Sequence, residues 1–325
     1  MLKTFSFATL FAASMLLAST LPAQLAAAHA AAHYDSASKV FRLDGGNVTY
    51  SFGVNPRGEL QQLYWGGRVA DGDAIPAAVP NREWASFDSS HTNTPEEYAG
   101  WGGGLFVEPA LKMTFADGNR DLVLHYDSHT ETPNGLDVML KDVGRKIFVT
   151  LHYAIDPQTG ILARSATIEN REETPVTVEQ AAAAAWTLPA AHYTLNYLTG
   201  RWAGEWTLTQ EPIHPGARVL ESRRGSTGHQ ANPWFALQAG GSSEDHGSED
   251  HGEVWFGALG WSGSWRFTIE QDQLDAVRVT GGFNPFDFGY VLHPGDKLET
   301  PIFYGGYSAH GLGGASRLLH SFELH

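Results

Sequence analysis

Apolar side chains recur at every second position through much of this chain, and that period constrains the fold more than any other feature. In "KIFVTLHYAI", Ile147, Val149, Leu151, Tyr153 and Ile155 fall on one face. "NVTYSFGV" sets Val48, Tyr50, Phe52 and Val54 on one face in the same way. Successive side chains of an extended chain point to opposite faces, so a period of two marks a half-buried strand. "LDVMLKDV", "AVRVTGGF", "KLETPIFYGGYS" and "EVWFGALGWSGSWRFTIEQD" add strand-like runs. Turn signals at "NPRG", "ADGN", "DPQTG" and "HPGD" separate them. "EQAAAAAW" reads as a small-residue strand, because Val176 and Val178 lead into it on alternate positions. There are more runs than a seven-strand sandwich uses, and no repeat on the scale of a propeller blade. The expected fold is all-β, with two large antiparallel sheets packed face to face.

The two ends of the chain break this pattern. Lys3 precedes the uncharged run "FSFATLFAASMLLAS", and "AHA" at Ala28 to Ala30 has the small-x-small form of a cleavage site. Residues 1–30 read as a secretory signal peptide cleaved near Ala30. The run is shorter than the ~20 residues a spanning helix needs, so no membrane partner is expected, and the mature chain is placed outside the cell or in a periplasm. At the other end, "GGASRLLHSFELH" carries Leu318, Leu319 and Phe322 at helical spacing behind Ser316 as a candidate cap. The expected division is a signal peptide over 1–30, a β domain over 31–312 and a helix over 313–325. That helix reaches His325 without a closing Gly or Pro, which fits equally a sequence cut short and a terminal helix that frays.

Composition narrows the function classes. Acidic residues outnumber basic ones, 36 to 21, with no basic patch, so nucleic acid is not an expected partner. There is no cysteine, so an exported chain of this kind relies on packing and not on disulfides. The 10 tryptophans, 11 tyrosines and 36 glycines are compatible with a neutral ligand such as a sugar, since aromatic faces stack on apolar sugar faces. "SEDHG" occurs twice between Ser243 and Gly252, but its spacing matches no zinc or calcium loop, so it reads as a solvated hairpin loop. No metal or cofactor is expected. Asn47 opens an N-glycosylation sequon, yet Val48 and Thr49 belong to a strand pattern, so no glycan is expected there.

The most polar stretch is "ESRRGSTGHQANPW", from Glu221 to Trp234. Alternation cannot bury both guanidinium groups on one face, so one of Arg223 and Arg224 is expected to turn inward and the other outward. Gly225 and Gly228 allow a tight loop, across which His229 and Asn232 can bond before Pro233 ends the turn. This reads first as a rigid polar corner. Other loop-like stretches hold aromatic residues beside glycines: Trp202 and Trp206 in "YLTGRWAGEW", and Glu97, Tyr98 and Trp101 in "EEYAGWGGGLFVEPAL".

Taken in order, "YWGGRV", "EEYAGWG", "GRWAGEW", "ESRRGSTGHQANPW" and "NPFDFGYVLHPGD" resemble the N-terminal domain of glycoside hydrolase family 36, the bacterial α-galactosidases. The resemblance runs from about Phe41 to the last residue. It implies a large β-supersandwich ahead of a (β/α)8 barrel. In that family the nucleophile and the acid/base are aspartates on the barrel, acting by retaining double displacement on a terminal α-galactosyl residue. No catalytic residue is therefore expected within this chain. The full protein would act on α-galactoside oligosaccharides of the raffinose type or on galactomannan. The resemblance also implies homotetramers in which this domain shapes the mouth of the active site. It places Trp202 at the sugar pocket and implies a second sugar contact from an aspartate of "GGRVADGDAIPAAVPNREW", Asp73 first and Asp71 next. The chain departs from the family at "GLFVEPAL" and at Trp234, where a Phe is usual. The competing expectation is a stand-alone secreted β-sandwich that binds carbohydrate without chemistry.

Overall fold

The computed structural model describes residues 31–81, 85, 87, 93–133, 135–240 and 248–325. The signal-peptide reading and the first SEDHG copy lie outside these residues. In chain order the strands are β1 (Ala31–Asp35), β2 (Val40–Gly45), β3 (Val48–Val54), β4 (Leu60–Gly67), β5 (Leu111–Thr114), β6 (Leu124–Thr132), β7 (Gly135–Asp142), β8 (Ile147–Ile155), β9 (Leu162–Asn170) and β10 (Val176–Leu188). They continue as β11 (Tyr193–Arg201), β12 (Gly204–Pro212), β13 (Gly216–Ser222), β14 (Ala231–Ala239), β15 (Val254–Gly260), β16 (Trp265–Gln271), β17 (Val277–Phe283), β18 (Tyr290–Leu292), β19 (Lys297–Glu299) and β20 (Ile302–Ser308). One helix, α1 (Gly311–Glu323), follows. No helix among the described residues is long and apolar enough to cross a membrane.

The strands form the two large antiparallel sheets that alternation demands. One has ten strands in the order β12-β11-β14-β15-β20-β9-β8-β7-β6, with β19 beside β9. The other has six, β13-β16-β17-β10-β18, with β5 beside β10. Their inner faces meet through Phe267 on β16 and Phe303 on β20, stacked with ring centroids 5.0 Å apart. Such interdigitated aromatic faces are the core of a sandwich. A third, four-stranded sheet, β1-β2-β3-β4, was not separable from the others by pattern. It closes the core from the side. Trp65 packs on Trp186 of β10 at 5.1 Å, and the Trp255 indole of β15 donates to the Trp65 carbonyl at 3.2 Å.

Two local readings change. Strand β3 is buried on both faces, not one. Its off-pattern Thr49 and Ser51 are satisfied by Asp44 and by the Phe41 carbonyl, so burial leaves neither hydroxyl orphaned. Helix α1 starts at Gly311, with Ser316 inside it, so Ser316 is not the cap; His310 holds that position and makes no side-chain cap bond. The helix start is instead met by the second SEDHG copy. Gly311, Leu312 and Gly313 donate to the carbonyls of Gly252, Ser248 and Glu249 at 3.0, 3.2 and 2.9 Å. The first amides of a helix lack intrahelical partners, and a folded-back loop supplies them here. The charged side chains of that copy still face solvent. Leu312, Leu318, Leu319 and Phe322 pack against Ala236, Val254 and Phe256 on the outside of the ten-stranded sheet.

Candidate functional site

Strands β11 and β12 form a hairpin at one edge of the ten-stranded sheet. Its turn carries Trp202 at 83% exposure, and Trp206 follows at 70%. Ala203 and Trp206 both sit at left-handed φ, 60° and 53°. A large side chain rarely adopts that conformation, and the register slips between Thr199 and Arg201, so the strand bulges at Trp206. The Glu205 carboxylate accepts from the Ala203 amide at 3.0 Å. Backbone amides of Glu205, Ala203 and Gly204 hold it below the usual carboxylate range, with His229 adding to the effect. The tip thus presents two indole rings and a fixed acceptor to solvent.

The polar stretch packs against the root of this hairpin. A Cβ on Gly200 would stand 2.9 Å from the His229 carbonyl, so that glycine admits the loop. Arg223 and Arg224 are both exposed, and neither turns inward. Arg223 reaches Glu221 at 2.6 Å and lies 4.0 Å over the Phe286 ring. Burying a guanidinium costs its hydration, whereas at the surface Arg223 keeps water and gains a carboxylate and an aromatic face, which is why the inward expectation fails. The loop is pinned by its backbone. Thr227 donates to Ser262 at 2.7 Å, and Gly225, at φ 72°, donates to the Ser264 hydroxyl at 2.8 Å. His229 is exposed and Asn232 is half-buried within β14. The Asn232 amide nitrogen has no hydrogen-bond partner, so no bond joins it to His229 across the loop. The stretch is a rigid corner beside the hairpin.

Asp73 lies elsewhere, in the loop after β4. It lines a cavity of about 270 Å³ with His33, Asp35, Ser38, Arg42 and Asp71. Arg42 braces the loop through carbonyls of Val69, Ala70 and Asp73. Asp71 is engaged by Arg68 at 3.0 Å. The Asp73 carboxylate is exposed and makes no hydrogen bond among the described residues, so of the two it is the one free to reach a ligand. No hydrogen bond or ring contact connects Asp73 to Trp202 within the described chain.

The strongest electrostatics are in the interior, where sequence reasoning did not look. Glu97 is fully buried and accepts from Tyr50 at 2.6 Å, from Tyr153 at 2.8 Å and from Arg164 at 2.7 Å. Burial, and then the Glu97 charge, push the Tyr50 hydroxyl well above its usual range. The signal was present: Arg164 stands on the inward face of "LARSATIEN", among Leu162, Ala166 and Ile168. Nearby, burial and then the charge of Glu59 raise Glu96 to about 8. Glu59 is held by Asn55 at 2.6 Å and Arg57 at 3.7 Å. Neither Glu59 nor Glu96 lines the Asp73 cavity, so this carboxylate pair does not flank that binding space. No group of three or more metal-ligating side chains occurs among the described residues.

Comparison with known proteins gives a consistent result. The model of the glycosyl hydrolase family 36 N-terminal domain matches residues 58–293. Alpha-galactosidase AgaA of Geobacillus stearothermophilus is 30% identical over 313 residues, covering 88% of this chain and 42% of that protein. Alpha-galactosidase Mel36A of Lactobacillus acidophilus is 28% identical, covering 89% and 42%. The crystal structure of the alpha-galactosidase AgaB of Geobacillus stearothermophilus superposes with a TM-score of 0.81 at 28% identity, over 89% of this chain and 42% of that one. A raffinose complex of AgaA superposes at 0.79, over 86% and 42%. This chain therefore spans about 42% of the length of these relatives.

Proposed function

The chain belongs to the family of glycosyl hydrolase family 36 N-terminal domains, and from that premise we propose that it serves α-galactosidase action as a non-catalytic part. In this reading it supports the rim of a galactoside pocket, and the acids that break the glycosidic bond lie in the remaining length of the relatives. The family match over residues 58–293 carries the reading. The exposed Trp202 supports it, since an indole face free of packing suits the apolar face of a galactosyl ring. Asp73 supplies an acceptor for sugar hydroxyls from the loop after β4. Assembly into homo-oligomers, with α-galactoside oligosaccharides as ligands, belongs to the same proposal. So does export, with residues 1–30 removed near Ala30.

The test is direct. The purified chain alone should leave p-nitrophenyl α-D-galactoside intact, and turnover that survives purification overturns the assignment. The reading frame beyond the His325 codon should continue into alternating strands and helices. N-terminal sequencing of exported protein should begin near Ala31.

A further inference from the structure

Away from the hairpin, three polar side chains stand in line across three neighbouring strands. Asp137 on β7 faces His152 on β8 in the register, and Thr167 lies on β9. His152 Nδ1 is 2.8 Å from Asp137 Oδ1, and Nε2 is 2.9 Å from Thr167 Oγ1. A carboxylate accepts hydrogen bonds and donates none, so the proton of the neutral imidazole sits on Nδ1. Nε2 then offers its lone pair, and the Thr167 hydroxyl donates to it. That is the order of a nucleophile, a base and a group that orients the base. Alternation puts all three on the outer face, opposite the buried Val138, Leu151 and Ile168. The Asp137 and His152 side chains keep 42% and 37% exposure, and Thr167 is itself partly exposed, so the face is open to a small molecule.

We propose that Thr167 is an acyl-accepting hydroxyl, activated by His152 and oriented by Asp137, that takes acyl groups from activated esters. Thr167 Oγ1 attacks the ester carbonyl carbon as its proton passes to His152 Nε2. The bond from that carbon to the leaving oxygen then breaks, and His152 returns the proton to the departing alcohol. The products are an acyl ester on Thr167 and a free alcohol, with no change of oxidation state. Water, deprotonated by His152, attacks the acyl carbon next; the bond from that carbon to Thr167 Oγ1 breaks, His152 returns the proton to Thr167 Oγ1, and the acid leaves. Thr150 stands opposite Thr167 and Ser165 opposite His152, which puts two more hydroxyls on this face for the forming oxyanion. Glu299 stands opposite Thr167 on β19, and a negative charge there opposes an oxyanion. Without backbone amides aimed at the oxyanion, the site is confined to esters with good leaving groups. This chemistry is independent of the galactoside reading.

The purified chain is mixed with p-nitrophenyl acetate, and both p-nitrophenolate release and intact mass are followed. In samples quenched with acid at early times, before water removes the acyl group, we expect a one-acetyl adduct that peptide mapping places on Thr167. Thr167→Ala should abolish that adduct and Thr167→Ser should keep it. His152→Asn should slow acetylation by about 100-fold, and Asp137→Asn should slow it less. All of these sites are half-exposed, and thermal melts matching the wild type confirm folding. Acetylation found only on lysines, or a release rate unchanged in Thr167→Ala, overturns the proposal.

Discussion

The interior around Arg164 and the hairpin tip around Trp202 hold the same kinds of side chain under opposite conditions. Inside, Glu97 is surrounded by three donors, and the Arg164 plane lies 4.0 Å over the Tyr153 ring. At the tip, Trp202 and Trp206 stand in solvent beside a carboxylate that only backbone amides hold. The interior cluster joins three parts of the chain: β3 through Tyr50, the segment before β5 through Glu97, and the ten-stranded sheet through Tyr153 and Arg164. Glu97 is paired on all sides, whereas Arg164 Nε and Nη2 are buried without a hydrogen-bond partner among the described residues, so what the cluster governs is the cost of stranding one charge when its partner is lost. The tip contributes little to stability, and its exposed rings are the ones the proposed sugar contact would use.

The sharpest way to break this comparison is to remove one interior partner. Arg164→Met should strand the Glu97 carboxylate and cost about 3–5 kcal/mol in denaturant unfolding. Arg164→Met combined with Glu97→Leu should recover most of that loss, because two apolar groups leave no charge behind. A single-variant loss below about 1 kcal/mol would mean that water reaches Glu97 and the cluster is not sealed.

Next in size is a pH effect at Glu96. Its folded value of about 8 lies above the ordinary carboxylate value of 4.5, so the fold favours the protonated acid. The stability this contributes is complete below pH 4.5 and is lost as pH rises through 8. Glu96→Gln keeps a neutral group there. It should flatten that decline and be about 2 kcal/mol more stable than the wild type at alkaline pH. Equal pH profiles for the two proteins would remove Glu96 from the interior account.

An effect of similar size is expected where the second SEDHG copy meets α1. At Gly311, φ is 63°, and a Cβ would stand 2.4 Å from the Ser248 carbonyl. Gly311→Ala should cost about 2 kcal/mol, and hydrogen exchange should quicken in residues 248–252 and at the start of α1 before the sheets respond.

These sites also mark how far the sequence could be read. Alternation revealed strands such as β8 because one face of each is apolar, and "KIFVTLHYAI" holds its residues 147–155. It could not assign strands to sheets, since pairing depends on neighbours distant in the chain. Arg164 was visible as a charge on an apolar face, but its partner Glu97 lies 67 residues away and no local period connects them. Ser316 resembled a cap because a hydroxyl before an apolar run is the usual signal. Backbone carbonyls from a folded-back loop do that work here, and they leave no side-chain signature. The Trp202 turn was legible because tryptophan beside glycine in a loop is poor core material. Asp137, His152 and Thr167 went unnoticed because their alignment across three strands depends on register.

The smallest stability effect is predicted at the tip, and it tests the comparison from the other side. Trp202→Ala should change unfolding free energy by less than about 0.5 kcal/mol, as surface substitutions generally do. Trp186→Ala, which empties a site of 0% exposure, should cost roughly 3–5 kcal/mol. Trp206→Gly should be neutral or slightly stabilising, because glycine adopts the left-handed backbone at that position without strain. If Trp202→Ala instead costs more than about 1 kcal/mol, the indole is packed in solution, against another copy of the chain or another part of the same chain. Sedimentation of the wild type and the variant then separates the two cases: a shift in association state points to a second copy, and an unchanged one to a contact within the chain.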